Sequence, residues 1–199
     1  TCDDFWDLGG VLECDSCQLD MTGCSRVIEL LSPVTRVTYS TQGDHYILST
    51  GDGGARWQAL KVNSSFQQVW VREFQFELTG DNHVGALFIR DASSILIVGK
   101  EQVPIEDTTL TQDTLFFSIL NSVTGEQLSS VSYSPSNGMM RWEAVLDGQG
   151  LVNVLVVPSQ SGDYFPDPYI MRFDLDGAFI DSVSVGDGSQ ITPWRLVVD

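Results

Sequence analysis

Residues 169–185, YIMRFDLDGAFIDSVSV, alternate apolar and polar positions in the manner of two short strands joined by a turn. Tyr169–Phe173 predicts the first strand. Ala178–Val185 predicts the second, with Phe179, Asp181, Val183 and Val185 set against Ile180, Ser182 and Ser184. Asp174-Leu175-Asp176-Gly177 lies between them. Glycine accepts the positive φ of a tight hairpin, so Asp-Gly between apolar runs is a strong hairpin signal.

The pattern recurs. Asp113–Ser122 aligns with Asp167–Asp176, and Gly125–Tyr133 with Gly177–Val185, with Val123 and Thr124 lengthening the turn. A looser copy runs from Leu60 to Trp70, with Asn63-Ser64 in the place of Asp176-Gly177 and Phe66 in that of Phe179. A second hairpin precedes each of these. Its turns begin at Thr41, Asp91 and Asp147, giving spacings of 50 and 56 residues. The flanking runs are Val37–Tyr39 and Tyr46–Leu48, Ala86–Ile89 and Ile95–Val98, and Trp142–Leu146 and Val152–Val157. They are nearly continuous apolar stretches, as expected of strands covered on both faces. Each unit therefore predicts four antiparallel strands, the inner pair more apolar than the outer.

Repeated four-stranded units of this kind predict an all-β fold, a partial β-propeller of about three blades. A β-sandwich also uses many short strands but does not predict the repeated turns. The expected blades are 34–83, 84–140 and 141–190, with the start of a further blade at 191–199. There Trp194 to Asp199 repeats the spacing of Trp142 to Asp147. The expectation is a portion of a longer propeller, or one completed by another chain. Residues 1–33 form a separate cysteine-rich, loop-rich segment in which Arg26–Leu31 could add one strand.

At Val123-Thr124-Gly125-Glu126-Gln127-Leu128 the chain resembles the outer hairpin of quinoprotein-like β-propeller repeats, and over residues 34–199 the degenerate propeller repeats of large secreted proteins. The resemblance implies blades closed by a Thr-Gly-Glu type of turn, with a tryptophan soon after the glycine. That tryptophan is present only as Trp70; Ser129-Ser130 and Asp181-Ser182 stand in the other units. Neither general tryptophan docking nor a quinone cofactor is therefore carried over, and no cofactor is expected.

Composition narrows the role. Acidic residues number 27 against 10 basic, a formal charge of −17, so nucleic acid and anionic lipid surfaces are poor partners. No run of about 18 apolar residues predicts a membrane span. The chain begins at Thr1 without a signal-peptide pattern, as after leader removal or within a longer protein. Cys2, Cys14, Cys17 and Cys24 cluster at the start, and no cysteine follows. They predict two disulfides of open pairing in an oxidising compartment, worth about 2–3 kcal/mol each. The rival is zinc at Cys14-x-x-Cys17, but zinc ribbons usually carry two such pairs. Asn63-Ser64-Ser65 is a glycosylation sequon at a hairpin turn, which with the cysteines predicts a secreted glycoprotein.

Catalytic chemistry has few candidates. The histidines are His45, beside Asp44 at a turn, and His83 in a loop. No G-x-S-x-G, H-E-x-x-H or spaced calcium-loop pattern occurs. Gly51–Gly54 and Gly186–Ser189 carry aspartate where a phosphate loop avoids negative charge, and read as turns. Trp142 and Trp194 read as packing between blades, or as a stacking surface for sugar. The expected role is a non-enzymatic, extracellular structural or adhesive module with a protein partner. The alternative is a carbohydrate-binding or carbohydrate-active propeller.

Overall fold

A computed structural model of the chain describes residues 18–19, 28–29, 34–51, 56–65, 67–75, 83–105, 111–135, 138–159 and 167–185. The four cysteines, Phe66, Trp194 and 191–199 lie outside these residues. In the N-terminal segment β1 (Gln18–Leu19) pairs antiparallel with β2 (Ile28–Glu29). Within the strand expected at Arg26–Leu31, Ile28–Glu29 has a local partner, Gln18–Leu19.

The remainder is three four-stranded antiparallel sheets, each a meander in chain order. Sheet 1 holds β3 (Val34–Tyr39), β4 (His45–Gly51), β5 (Arg56–Val62) and β6 (Gln68–Gln75). Sheet 2 holds β7 (His83–Asp91), β8 (Ser94–Pro104), β9 (Thr111–Asn121) and β10 (Gln127–Tyr133). Sheet 3 holds β11 (Met139–Leu146), β12 (Val152–Pro158), β13 (Tyr169–Phe173) and β14 (Phe179–Ser184). No helix occurs among the described residues.

The sheets stack face to face in the order 1, 2, 3, because side chains alternate along each strand. On β8, Leu96 and Val98 join Leu115, Phe117 and Ile119 against Val152, Val154, Val156, Met171 and Phe173 of sheet 3. The intervening Ile95 and Ile97 join Leu87, Phe116 and Leu120 against Tyr46, Leu48, Trp57, Ala59 and Trp70 of sheet 1. The continuous apolar run Ile95–Val98 is what a strand between two other sheets requires. The first strands are neighbours, with β7 touching both β3 and β11.

Burial differs from the expectation that the first two strands of each unit are the apolar ones. The second strands, and the third strands of sheets 1 and 2, are the covered ones: β8, β9 and β12 are buried along most of their length, β5 is buried from Trp57 to Val62, and β13 is buried only at Met171 and Phe173. Among the described residues, the first and fourth strands are sheet edges with a neighbour on one side, and their apolar residues are less completely enclosed.

The hairpin tips share one design. Ser40, Asp147 and Asp174 each donate their backbone N–H to the carbonyl four residues on and accept the N–H of the residue three on. The side-chain oxygen of each accepts two further N–H groups, two and four residues on. The fourth residue is Gly43, Gly150 or Gly177, with φ of 82°, 81° and 82°. An L side chain is disfavoured there, so glycine fixes the turn. Asn63 makes the same side-chain bonds to Ser65 and Gln67, and Asn121 makes them to Val123 and Thr124 in a turn one residue longer.

This geometry corrects the alignment. The first turn begins at Ser40 rather than Thr41. Asn63 and Asn121 both correspond to Asp174, so Asn63 does not stand in the place of Asp176. Asp174-Leu175-Asp176-Gly177 offers two aspartates, and the one that caps the turn sets the register.

Asn63 is thereby both a turn cap and the sequon asparagine, through different atoms. Asn63→Asp keeps the accepting oxygen and is expected to leave stability nearly unchanged. Asn63→Ala removes the oxygen that accepts the Ser65 and Gln67 N–H groups, at a cost of about 1–2 kcal/mol. Urea denaturation of the three proteins checks the ordering, and equal stability of Asn63→Asp and Asn63→Ala would remove the capping role.

Candidate functional site

The candidate site forms where the tips of sheets 1 and 2 meet. Its foundation is Trp70 on β6. The indole lies on the turn of sheet 2, where a Cβ added at Gly125 would stand 2.7 Å from Trp70 Cδ2. Gly125 has φ of 73°, so the turn geometry and the ring both call for glycine. Trp70 Nε1–H donates to the Ser122 carbonyl at 3.1 Å. Ser122 is held again from its own sheet: its N–H donates to the Ser93 carbonyl at 2.8 Å and its hydroxyl to the Ala92 carbonyl at 3.1 Å.

Above this foundation opens a cleft of about 340 Å³. Tyr39, Thr41, Asp44, Tyr46 and Lys61 line it from sheet 1, and Ile89, Asp91, Ala92, Ser122 and Val123 from sheet 2. Lys61 Nζ bonds Asp44 Oδ2 at 2.7 Å and sits 5.5 Å from the centre of the Tyr46 ring. Burial works against the Lys61 charge, but the bond to Asp44, with Tyr46 beside it, leaves its pKa raised. Asp91 is anchored by the hydroxyls of Ser93 and Ser94 and the backbone N–H of Ser93, which hold its pKa at about 2, helped by Arg90. Both charges of the ion pair and the Asp91 carboxylate therefore have partners within the protein.

The corresponding tips of sheets 2 and 3 are bridged by an ion pair. Arg90, the residue before the turn, reaches Asp176 at the tip of sheet 3 at 2.6 Å. In the cleft between sheets 1 and 2 the same two repeat positions hold Tyr39, which precedes Ser40, and Val123, two residues after Asn121. Those side chains are 73% and 64% exposed. At the opposite end of the sheets 2–3 interface, Lys100 and Asp113 pair at 3.3 Å, and Asp113 also accepts from Gln102 and from the Met139 backbone. The pair and its bonds tie the two sheets together.

Among the described residues, the two histidines lie at opposite ends of the sheets. His45 opens β4 at the hairpin-tip end, and His83 opens β7 at the other end. Burial lowers the His45 pKa although Asp44 opposes it. Trp142 packs between sheets 2 and 3, over Gly85, where a Cβ would stand 2.5 Å from Trp142 Cη2. There it packs against the core that sheets 2 and 3 share. Trp70 docks on the turn of sheet 2, over Gly125. Between sheets 2 and 3, where serine replaces that tryptophan, Phe117 fills the position against Gly177 and Tyr133 stacks on Phe179 at 4.9 Å. Tyr39, Asp44, Lys61 and Val123 escaped the sequence reading. Their only trace is that Tyr39 and Val123 break the Arg90–Asp176 pattern once the repeats are in register.

Acid titration follows from the caps. Hydrogen bonds from Ser93 lower Asp91, the Leu151 N–H lowers Asp147, and Arg172 lowers Asp181. Depressed carboxylates contribute stability that is full above the unfolded value of about 3.9 and is lost as pH falls through the folded value. Stability is expected to fall between about pH 4 and pH 2. Asp91→Asn should flatten that slope in denaturation at a series of pH values; an unchanged slope would contradict the assignment.

No protein-family model and no curated protein matches the chain. Among solved structures, the chain is similar to the crystal structure of the eukaryotic initiation factor, with 13% identity and a TM-score of 0.48. The likeness covers 85% of this chain and 35% of that one, so the chain spans about a third of its length. Among the described residues, no helix is long and apolar enough to cross a membrane.

Proposed function

We propose that the chain is a secreted structural or adhesive module, its three sheets serving as consecutive β-propeller blades that bind a protein partner or a further part of the same polypeptide. The observation that carries this reading is the apolar character of the outermost strands. Val69 and Val71 on β6, Leu128 and Val131 on β10, and Phe179, Ile180 and Val183 on β14 are 40–55% exposed. A protein of net charge −17 has ample polar residues for its periphery, and apolar side chains repeated at the rim of every sheet suit a partner surface. Among the described residues the same strands are sheet edges, where an added strand can pair. Disulfides among Cys2, Cys14, Cys17 and Cys24 and a glycan on Asn63 complete the extracellular reading.

Photo-crosslinkers at Leu128 and Ile180 of the recombinant chain, with extracellular fluid supplied as the source of partners, test it. The expected result is one partner protein joined at fixed stoichiometry, lost in a Leu128→Lys, Ile180→Lys variant whose thermal midpoint is unchanged. Crosslinking unaffected by the two lysines would contradict the proposal.

A further inference from the structure

We propose that the cleft between the tips of sheets 1 and 2 binds a neutral sugar residue, with its apolar face on Tyr39 and Val123. This goes beyond the protein-interaction reading, which concerns the outer strands, and stands or falls without it.

The internal repeat is the strongest support. Two quasi-equivalent clefts are built by the same hairpins. One is bridged by Arg90 and Asp176 at 2.6 Å. In the other, the same positions hold an aromatic and an aliphatic side chain, 73% and 64% exposed. Neither can bridge the gap as an ion pair does, and both leave apolar surface in water at the cleft mouth. A volume of about 340 Å³ is at the small end of the range for ligand sites, about 300–1,000 Å³. The walls are set before any ligand arrives, because Ser122 is fixed by Trp70, Ser93 and Ala92. Little ordering cost then remains on binding.

The chemistry of the lining selects the ligand. Asp44 and Lys61 neutralise each other at 2.7 Å, and Asp91 is bonded by Ser93, Ser94 and Arg90. A charged ligand would have to compete with these partners. A neutral polyol would not, since its hydroxyls can add to the same carboxylates and ammonium as donor or acceptor. The apolar face of a sugar ring matches a tyrosine ring, which presents a flat apolar body and a polar tip.

The test uses saturation-transfer NMR and titration of the full chain with the methyl glycosides of mannose, galactose, glucose and N-acetylglucosamine. At least one should bind, with saturation strongest at the ring protons that face Tyr39. Tyr39→Ala should weaken binding about tenfold, without a change in thermal midpoint because the side chain is exposed. The double variant Tyr39→Arg, Val123→Asp copies the bridged cleft and should abolish binding while leaving the protein folded. Binding of none of the four at millimolar concentration overturns the proposal. So does binding that survives the double variant, or a preference for a lysine-rich peptide over every glycoside.

Discussion

Phe117→Ala is expected to destabilise the protein by about 3–5 kcal/mol. The Phe117 side chain is 0% exposed, on the face of β9 that meets sheet 3. Its ring centre lies 4.5 Å from that of Phe173, and its Cβ and Cγ bear on Gly177 at the tip of sheet 3. Truncation therefore empties a cavity against both a core ring and a turn that has no side chain to move into it. Neighbouring strands hold the lining apart, so little collapse can offset the loss. Phe117→Leu preserves most of the volume and should cost far less, about 1.5 kcal/mol or below. Domains are stable by about 5–15 kcal/mol in all, so the alanine variant gives up a large share. Urea denaturation measures both. A cost below about 1 kcal/mol for Phe117→Ala would mean that sheets 2 and 3 do not meet through this ring.

Gly125→Ala is expected to cost about 2–4 kcal/mol from two separable sources. The backbone sits at φ of 73°, where an L side chain costs about 1–2 kcal/mol. The new methyl would also stand 2.7 Å from the Trp70 ring, and the ring cannot withdraw without breaking its bond to the Ser122 carbonyl. Trp70→Ala alone should cost about 3–5 kcal/mol. In the double variant the steric part vanishes while the backbone strain persists. The combined loss should then fall short of the sum by about 1–2 kcal/mol, as expected for residues in contact. Strict additivity would show that Trp70 and Gly125 do not touch.

Much of the fold was legible because its determinants are local. Asp174 with Gly177, Asp147 with Gly150 and Ser40 with Gly43 each write a hairpin within five residues. Period-2 runs on either side give the strands. What escaped was anything that depends on which neighbour a strand meets. Ile95–Val98 reads as apolar on both faces, but its place as a central strand of the middle sheet, which explains its cover, is set by contacts distant in sequence. The register slipped at Ser40 and Asn63 because serine and asparagine cap a turn as aspartate does, with a different letter. The cleft was out of reach for a sharper reason. Its tips lack the ion pair that bridges sheets 2 and 3, and Arg90 and Asp176 are 86 residues apart. Without that pair in view, Tyr39 and Val123 carry no signal.

The central claim is that the three sheets stack in sequence order through aromatic rings laid on glycines. Three contacts define it: Trp70 on Gly125, Trp142 on Gly85 and Phe117 on Gly177. The most direct measurement is a nuclear Overhauser spectrum of the isotope-labelled protein, which reads proton pairs within about 5 Å, roughly the reach of packed side chains. The expected result is cross-peaks from the Trp70, Trp142 and Phe117 side-chain protons to the α-protons of Gly125, Gly85 and Gly177. Strong cross-strand peaks within each sheet, with all three of these absent, would contradict it.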